Sequence, residues 1–346
     1  MEKYREEKNT LMLTKIDEIV SGLPSYVRRF SNEYLVTKNK SPRTVHGYVS
    51  DIRTFLLYIS EIHSVPVREI SYELLGSLTA DDMQDYLMYL MRYYASADDK
   101  STTRSNDAPA RARKLSSLRA LYRYLIAHEY LEKNVAELVD MPKIEEKAVV
   151  YLEKNEVRDV LYGIETGSSL TQNQYRFSKK QQYRDIAIIT LLLNTGLRVS
   201  EMVGIDISDI DWKAKRIMIY RKGSKEQNIY FNSAVEEALQ DYINHERKTP
   251  SDDMDALFVS RKGRRLTVRS VERLVKKYTA SVVPSKHITP HKLRSTFATT
   301  LYGDSEVGGD IYIVADALGH SGLETVKKYT GISDERRRKA AKSIRY

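Results

Sequence analysis

Two histidines, an arginine and a tyrosine mark the stretch 289–330: His291, Arg294, His320 and Tyr329. His291 and Arg294 lie three residues apart, so a helix brings them to one face. Thr289 suits an N-cap and Pro290 the first helical position. Both residues then sit at the positive, N–H-rich end of that helix, a natural place for a phosphate. No H-E-x-x-H sequence, no cysteine and no carboxylate cluster at ligand spacing accompanies the histidines, so they do not read as metal ligands. Histidine and arginine with a separate tyrosine suit phosphate chemistry in which the phenol is the nucleophile. A phenol with a pKa of about 10 attacks poorly unaided. It needs cationic and hydrogen-bonding neighbours that stabilise charge in the transition state.

Two further groups come from distant parts of the chain. Arg198 follows an apolar run at 183–194 and the pair Thr195-Gly196, with Glu201 three residues later. Lys222 lies in the segment 221–226, between two stretches that read as paired strands, with Lys225 on the same turn. Singly these residues carry little weight. Tyrosine occurs 25 times in the chain, and lysines at a hairpin tip are ordinarily just solvated. Their weight comes from their occurrence together, in order.

The chain has 346 residues, enough for two domains with real cores. A net charge of +9 favours a polyanionic partner. The absence of cysteine rules out a disulfide framework and a thiolate metal site, and it fits a reducing, cytoplasmic setting. The first twenty residues mix charges without a signal-peptide core, and no apolar run is long enough to span a bilayer, so no membrane role is expected.

Helical periodicity organises the first half. A leader helix is expected at 9–21, followed by helices at 24–38, 42–62, 79–94 and 110–128. The last four make a helical unit. Its final helix is basic early, with Arg111, Arg113 and Lys114, and apolar on the opposite face. The charged segment 139–150 reads as a linker. Beyond it the pattern predicts a helix at 154–164, a polar surface loop at 165–182, a buried helix at 183–194, strands at 216–220 and 228–231, and a helix at 234–245. Residues 261–277 hold eight basic side chains, among them Arg265 and Arg269, against one acid, Glu272. A basic tail follows residue 332.

Five blocks in this order resemble the tyrosine recombinase (phage integrase-like) family: Thr195-Gly196-Leu197-Arg198-Val199-Ser200-Glu201, Arg221-Lys222-Gly223, Pro290-His291-Lys292-Leu293-Arg294, Leu318-Gly319-His320-Ser321 and Tyr329-Thr330. The similarity is closest to the Xer type, in particular the single-protein XerS recombinases. Ser295 departs from the second histidine that many Xer proteins carry there. The resemblance implies a mainly α fold with a small antiparallel β-sheet in the catalytic domain, arranged as a two-domain C-shaped DNA clamp. Its domains would be a leader at 1–23, a SAM-like core-binding domain at 24–138, the linker at 139–150, and a catalytic domain with an exchange tail at 151–346. The implied activity is site-specific DNA recombination through a 3′-phosphotyrosine and a Holliday junction, as in chromosome or plasmid dimer resolution. A mobile-element integrase and a non-catalytic DNA-binding protein are the alternatives.

The resemblance also implies roles. Tyr329 would be the nucleophile, and Arg198 and Arg294 the phosphate clamp. Lys222 would be the general acid, with Lys225 second to it. His291 and His320 would hydrogen-bond the phosphate or assist proton transfer, and Glu201 would position its neighbours. Arg111, Arg113, Lys114, Arg265 and Arg269 are the expected DNA contacts. No metal or other cofactor is implied. The implied partners are a double-stranded recombination site, further copies of the chain in a homo-tetramer on two sites, and an FtsK-type DNA translocase.

Overall fold

The computed structural model describes residues 2–94, 103–145, 148–168, 170–221, 226–248, 255–304, 309–319, 326 and 329. The chain forms two compact units, one of residues 3–146 and one built on residues 147–346.

The first unit is helical: α1 (Glu2–Val20), α2 (Ser25–Val36), α3 (Pro42–His63), α4 (Tyr72–Ser77), α5 (Ala80–Tyr89) and α6 (Ala108–Ala127). The starts of α3, α5 and α6 have local causes. Ser41 accepts the N–H of Thr44 at 3.2 Å, with Pro42 as the first helical residue of α3. Thr79 and Asp82 form a reciprocal capping box at α5. Asp107 caps α6 through the N–H of Ala110 at 3.0 Å. The shared core takes Val27 and Phe30 from α2, Val49, Ile52, Phe55 and Leu56 from α3, Tyr86 from α5, and Leu118, Leu121 and Tyr122 from α6. The expected leader is more than an appendage, because Ile16 and Val20 of α1 are buried in this core. Helix α5 stops earlier than its periodicity predicts. Its end tightens into i→i+3 bonds, Met91 N–H to Met88 and Arg92 N–H to Tyr89, before β1 (Tyr93–Tyr94) pairs antiparallel with β2 (Thr103–Arg104).

The second unit contains α7 (Lys154–Thr166), α8 (Gln172–Ser178), α9 (Gln182–Thr195), α10 (Val199–Met202), β3 (Ile210–Asp211), β4 (Arg216–Tyr220), β5 (Glu226–Tyr230), α11 (Ser233–His245), α12 (Val268–Val282), α13 (Pro290–Asp304) and α14 (Ile311–Leu318). Helix α9 packs against α7, α11 and α13, which is why its run Ala187-Ile188-Ile189 and Leu191-Leu192 is buried. The strands form one antiparallel sheet in the order β3-β4-β5, with Ile217 opposite both Ile210 and Ile229. The third strand, β3, is too short to show a periodicity of its own.

The polar segment at 165–182 is not the loop its composition predicts. Thr171 and Gln174 form a capping box that opens α8. Gly167, at φ +72°, ends α7, and the ring of Tyr175 occupies the space a Cβ there would need. A short amphipathic helix lying on a domain surface can be polar over most of its length. No helix among the described residues is long and apolar enough to cross a membrane.

Candidate active site

The site begins where α9 ends. Gly196 takes a left-handed conformation at φ +60°, and a Cβ there would lie 2.3 Å from the Phe297 ring of α13. Glycine meets both demands, since it tolerates that φ and lets the two chains approach closely. The Gly196 carbonyl accepts a hydrogen bond from Nη1 of Arg294, on the first turns of α13. Nη2 of the same guanidinium donates to the carbonyl of Leu318, the last residue of α14. Arg294 is 2% exposed, so one buried side chain ties together the ends of three helices.

Two residues beyond Gly196, Arg198 precedes α10. Glu201 accepts its backbone N–H at 2.8 Å and its Nη1 at 2.8 Å. The carboxylate is buried, while 43% of the Arg198 side chain stays exposed. Glu201 thus anchors one edge of the guanidinium and leaves another edge accessible. A second cation meets the same carboxylate, for Nε of Arg221 lies 3.8 Å from Glu201 Oε1. Arg221 is buried directly after β4, and its Nη2 donates to the Ala317 carbonyl at 3.2 Å.

The guanidiniums influence one another. Burial, with Arg198 and Arg221 adding repulsion, pushes the Arg294 pKa down to about 10 against the pull of Glu201 and Tyr329. Burial lowers Arg221 likewise, with Arg198 adding to the effect. Three arginines therefore meet around the buried Glu201, and Asp316 also attracts Arg221. Such a cluster is built to receive an anion, and planar forked donors match a phosphate.

Tyr329 is 2% exposed, packed with Ala298 of α13, Val314, Ala315 and Leu318 of α14, and Val326. Its backbone N–H donates to Val326 at 2.8 Å. His291 is exposed on the opening turn of α13, one turn before Arg294. Lys222, Lys225, His320 and the basic tail lie outside the described residues. Among the described residues, no group of three or more His, Asp or Glu side chains is arranged to hold a metal.

The expected DNA contacts divide. Arg269 is exposed, and 56% of the Arg113 side chain is exposed even as it pairs with Asp51. Arg111 is partly buried and donates to the Asn106 carbonyl at 2.8 Å. Lys114 and Arg265 depart from expectation. Lys114 is buried, with Nζ 3.3 Å from Asp51 and 3.4 Å from Thr54 Oγ1. Arg265, whose side chain is 7% exposed, pairs with Asp206 and donates to the carbonyls of Val203 and Ile205. A buried cation is retained only with a carboxylate or carbonyls around it, and here the fold supplies them.

Arg221 has no role of its own in the Arg221-Lys222-Gly223 block, yet the fold buries it beside Glu201. Strand alternation carried the signal: Ile217 and Ile219 face inward, and Arg221 continues their parity.

Comparison with known proteins adds an independent line. Residues 151–336 match the phage integrase family, and residues 27–129 match the phage integrase N-terminal SAM-like domain. The chain is 32% identical over 329 residues to the tyrosine recombinase XerC of Caldanaerobacter subterraneus subsp. tengcongensis, covering 92% of this chain and 86% of that one. It is 31% identical over 316 residues to the tyrosine recombinase XerC of Pelobacter propionicus, covering 91% and 93%. In fold it is similar to the crystal structure of the XerH site-specific recombinase bound to palindromic difH substrate in a post-cleavage complex. That likeness has a TM-score of 0.63 at 21% identity and covers 88% of this chain and 81% of that chain. The match over more than half of the chain and the length of these alignments agree with the arginine-rich site: the chain belongs to the phage integrase family, as a Xer-type tyrosine site-specific recombinase.

Proposed function

We propose that this recombinase cuts and rejoins double-stranded DNA with Tyr329 as nucleophile and Arg198 and Arg294 as the clamp on the scissile phosphate. The observation that supports the reading is the convergence of both arginines around Glu201, with Tyr329 electrostatically coupled to Arg294. The Tyr329 oxygen attacks phosphorus, the bond to the 5′-oxygen breaks, and a 3′-phosphotyrosine forms. The guanidiniums stabilise the charge that builds on the non-bridging oxygens. Lys222 gives its proton to the leaving 5′-oxygen, with Lys225 as the second candidate. His291 and His320 hydrogen-bond the phosphate or help move the Tyr329 proton. The 5′-hydroxyl of a second strand then attacks the phosphotyrosine and restores a phosphodiester. The protein–DNA bond conserves the energy, so the cycle consumes no nucleotide.

In this reading the first unit holds the duplex and the second performs the chemistry. Arg111, Arg113 and Arg269 meet phosphates. Four copies of the chain assemble on two sites and pass through a Holliday junction. The work is dimer resolution of chromosomes or plasmids in the cytoplasm, with an FtsK-type translocase as activator. The names of the XerC relatives support the Xer role, and the DNA in the XerH complex supports the partner.

The test is covalent capture. The protein is incubated with fragmented genomic DNA, adducts are recovered under denaturing conditions, and the enriched site is resynthesised as a nicked suicide duplex. The expected result is an adduct on that duplex that Tyr329→Phe abolishes. An adduct that survives Tyr329→Phe, or an absence of any adduct, overturns the reading.

A further inference from the structure

We infer that Arg221 is a third arginine of the phosphate site, whose open guanidinium edge takes a non-bridging oxygen of the scissile phosphate. The inference rests on the recombinase reading above and names a residue outside its catalytic set.

Arg221 follows β4 on the inward parity of Ile217 and Ile219, and its side chain is 7% exposed. Two interactions hold it in place. Nη2 donates to Ala317, one residue before the Leu318 carbonyl that Arg294 engages. The two guanidiniums therefore bind successive carbonyls of the last turn of α14, and the negative end of that helix favours both. Nε lies 3.8 Å from Glu201, close enough for attraction and too far for a hydrogen bond.

What remains is unusual. Nε and Nη1 of Arg221 are buried with no hydrogen-bond partner among the described residues. Buried donors in native proteins almost always have acceptors. A guanidinium cannot escape the penalty by losing its proton. The backbone around the group is also shaped for it. Gly319 ends α14 at φ +59°, and a Cβ there would fall 1.3 Å from Nη1. The glycine of the Leu318-Gly319-His320 block leaves room for the Arg221 head. Among the described residues none supplies the acceptor, and the reaction brings one, an anionic phosphate held by the neighbouring Arg198 and Arg294.

The test crosses a side-chain change with a substrate change. The captured duplex is made with a natural scissile phosphate and with a methylphosphonate, which lacks one charged oxygen. Rates of covalent adduct formation are measured for the wild type and Arg221→Ala. On natural DNA the variant is expected to slow on the order of ten- to a hundredfold, the range of a hydrogen bond to a charged group. On methylphosphonate DNA the penalty is expected to shrink to about threefold or less, because the charge it answers is gone. Gly319→Ala, which crowds the guanidinium, is expected to reproduce the same pattern. If Arg221→Ala does not fold, Arg221→Gln keeps an amide donor for Ala317 and carries the comparison. An equal penalty on both substrates, or none on either, overturns the inference and makes Arg221 purely structural. A wild type that forms no adduct on natural DNA overturns the recombinase reading, and this inference with it.

Discussion

Asp51 in the first unit and Glu201 in the second are both buried carboxylates facing basic side chains, yet their surroundings end in opposite electrostatic states. Asp51 takes Lys114 and Ser117 at 3.3 and 2.9 Å, and Arg113 as well. Of its two cations only Lys114 is buried, so within the core charge matches charge. Asp185 in the second unit follows the same pattern. It bonds Arg184 at 2.7 Å, Lys277 at 3.1 Å and Tyr278 at 2.8 Å. Glu201, by contrast, faces three cations, Arg198, Arg221 and Arg294, with Asp316 the other carboxylate acting on Arg221, and among the described residues Nε and Nη1 of Arg221 are left without an acceptor. A closed network holds the fold. An open, over-cationic one awaits an anion.

Breaking the closed network should give the largest effect on stability. Asp51→Ala leaves Lys114 buried and unpaired, and is expected to cost about 3–5 kcal/mol, read as a lower urea midpoint. A cost under about 1 kcal/mol would show that Lys114 reaches water and that the comparison fails. Arg198→Ala probes the open network. It should slow adduct formation on the order of 10²–10³-fold, in line with the loss of one transition-state donor. Its melting temperature should stay near wild type, because much of its side chain is exposed. A large fall in Tm with intact chemistry would place Arg198 with the structural networks.

Glu246 sharpens the comparison with the smallest effect. Its carboxylate accepts the Arg184 backbone N–H at 3.3 Å, beside the Asp185 network. Burial raises its pKa from 4.5 to about 7, with Asp185 adding repulsion. Between those values the folded chain keeps a proton that the unfolded chain has lost, so stability falls as pH rises and levels off above about 7. Glu246→Gln should flatten that slope in urea titrations from pH 4.5 to 7.5. An unchanged slope would assign the dependence to other groups.

The legible part of the molecule was local. Helix α3 was readable because Ser41-Pro42 opens it and Val45, Ile52, Phe55 and Ile59 keep its period. The hairpin of β4 and β5 was readable from alternation around Ile217 and Ile219. The short helix α8 is legible only through its Thr171–Gln174 cap, because the composition of 165–182 is that of a polar loop. The inward turn of Lys114 and Arg265 was not legible at all. A lysine on a basic helix reads as surface until the opposite helix presents Asp51, 63 residues away in the chain.

The amino-acid sequence by itself determined the order of the motif blocks, the family they belong to and most of the helices, because caps, glycines and apolar periods act over a few residues. Only the tertiary structure decided which arginines are spent inside the fold and which remain for a ligand. That choice depends on where distant carboxylates and carbonyls arrive. Arg294 reaches Gly196 and Leu318, Arg265 reaches Asp206, and Arg221 lies in the space left by Gly319. Local sequence cannot encode such meetings, since desolvation and pairing of a buried cation are set by neighbours that the chain brings together only when folded.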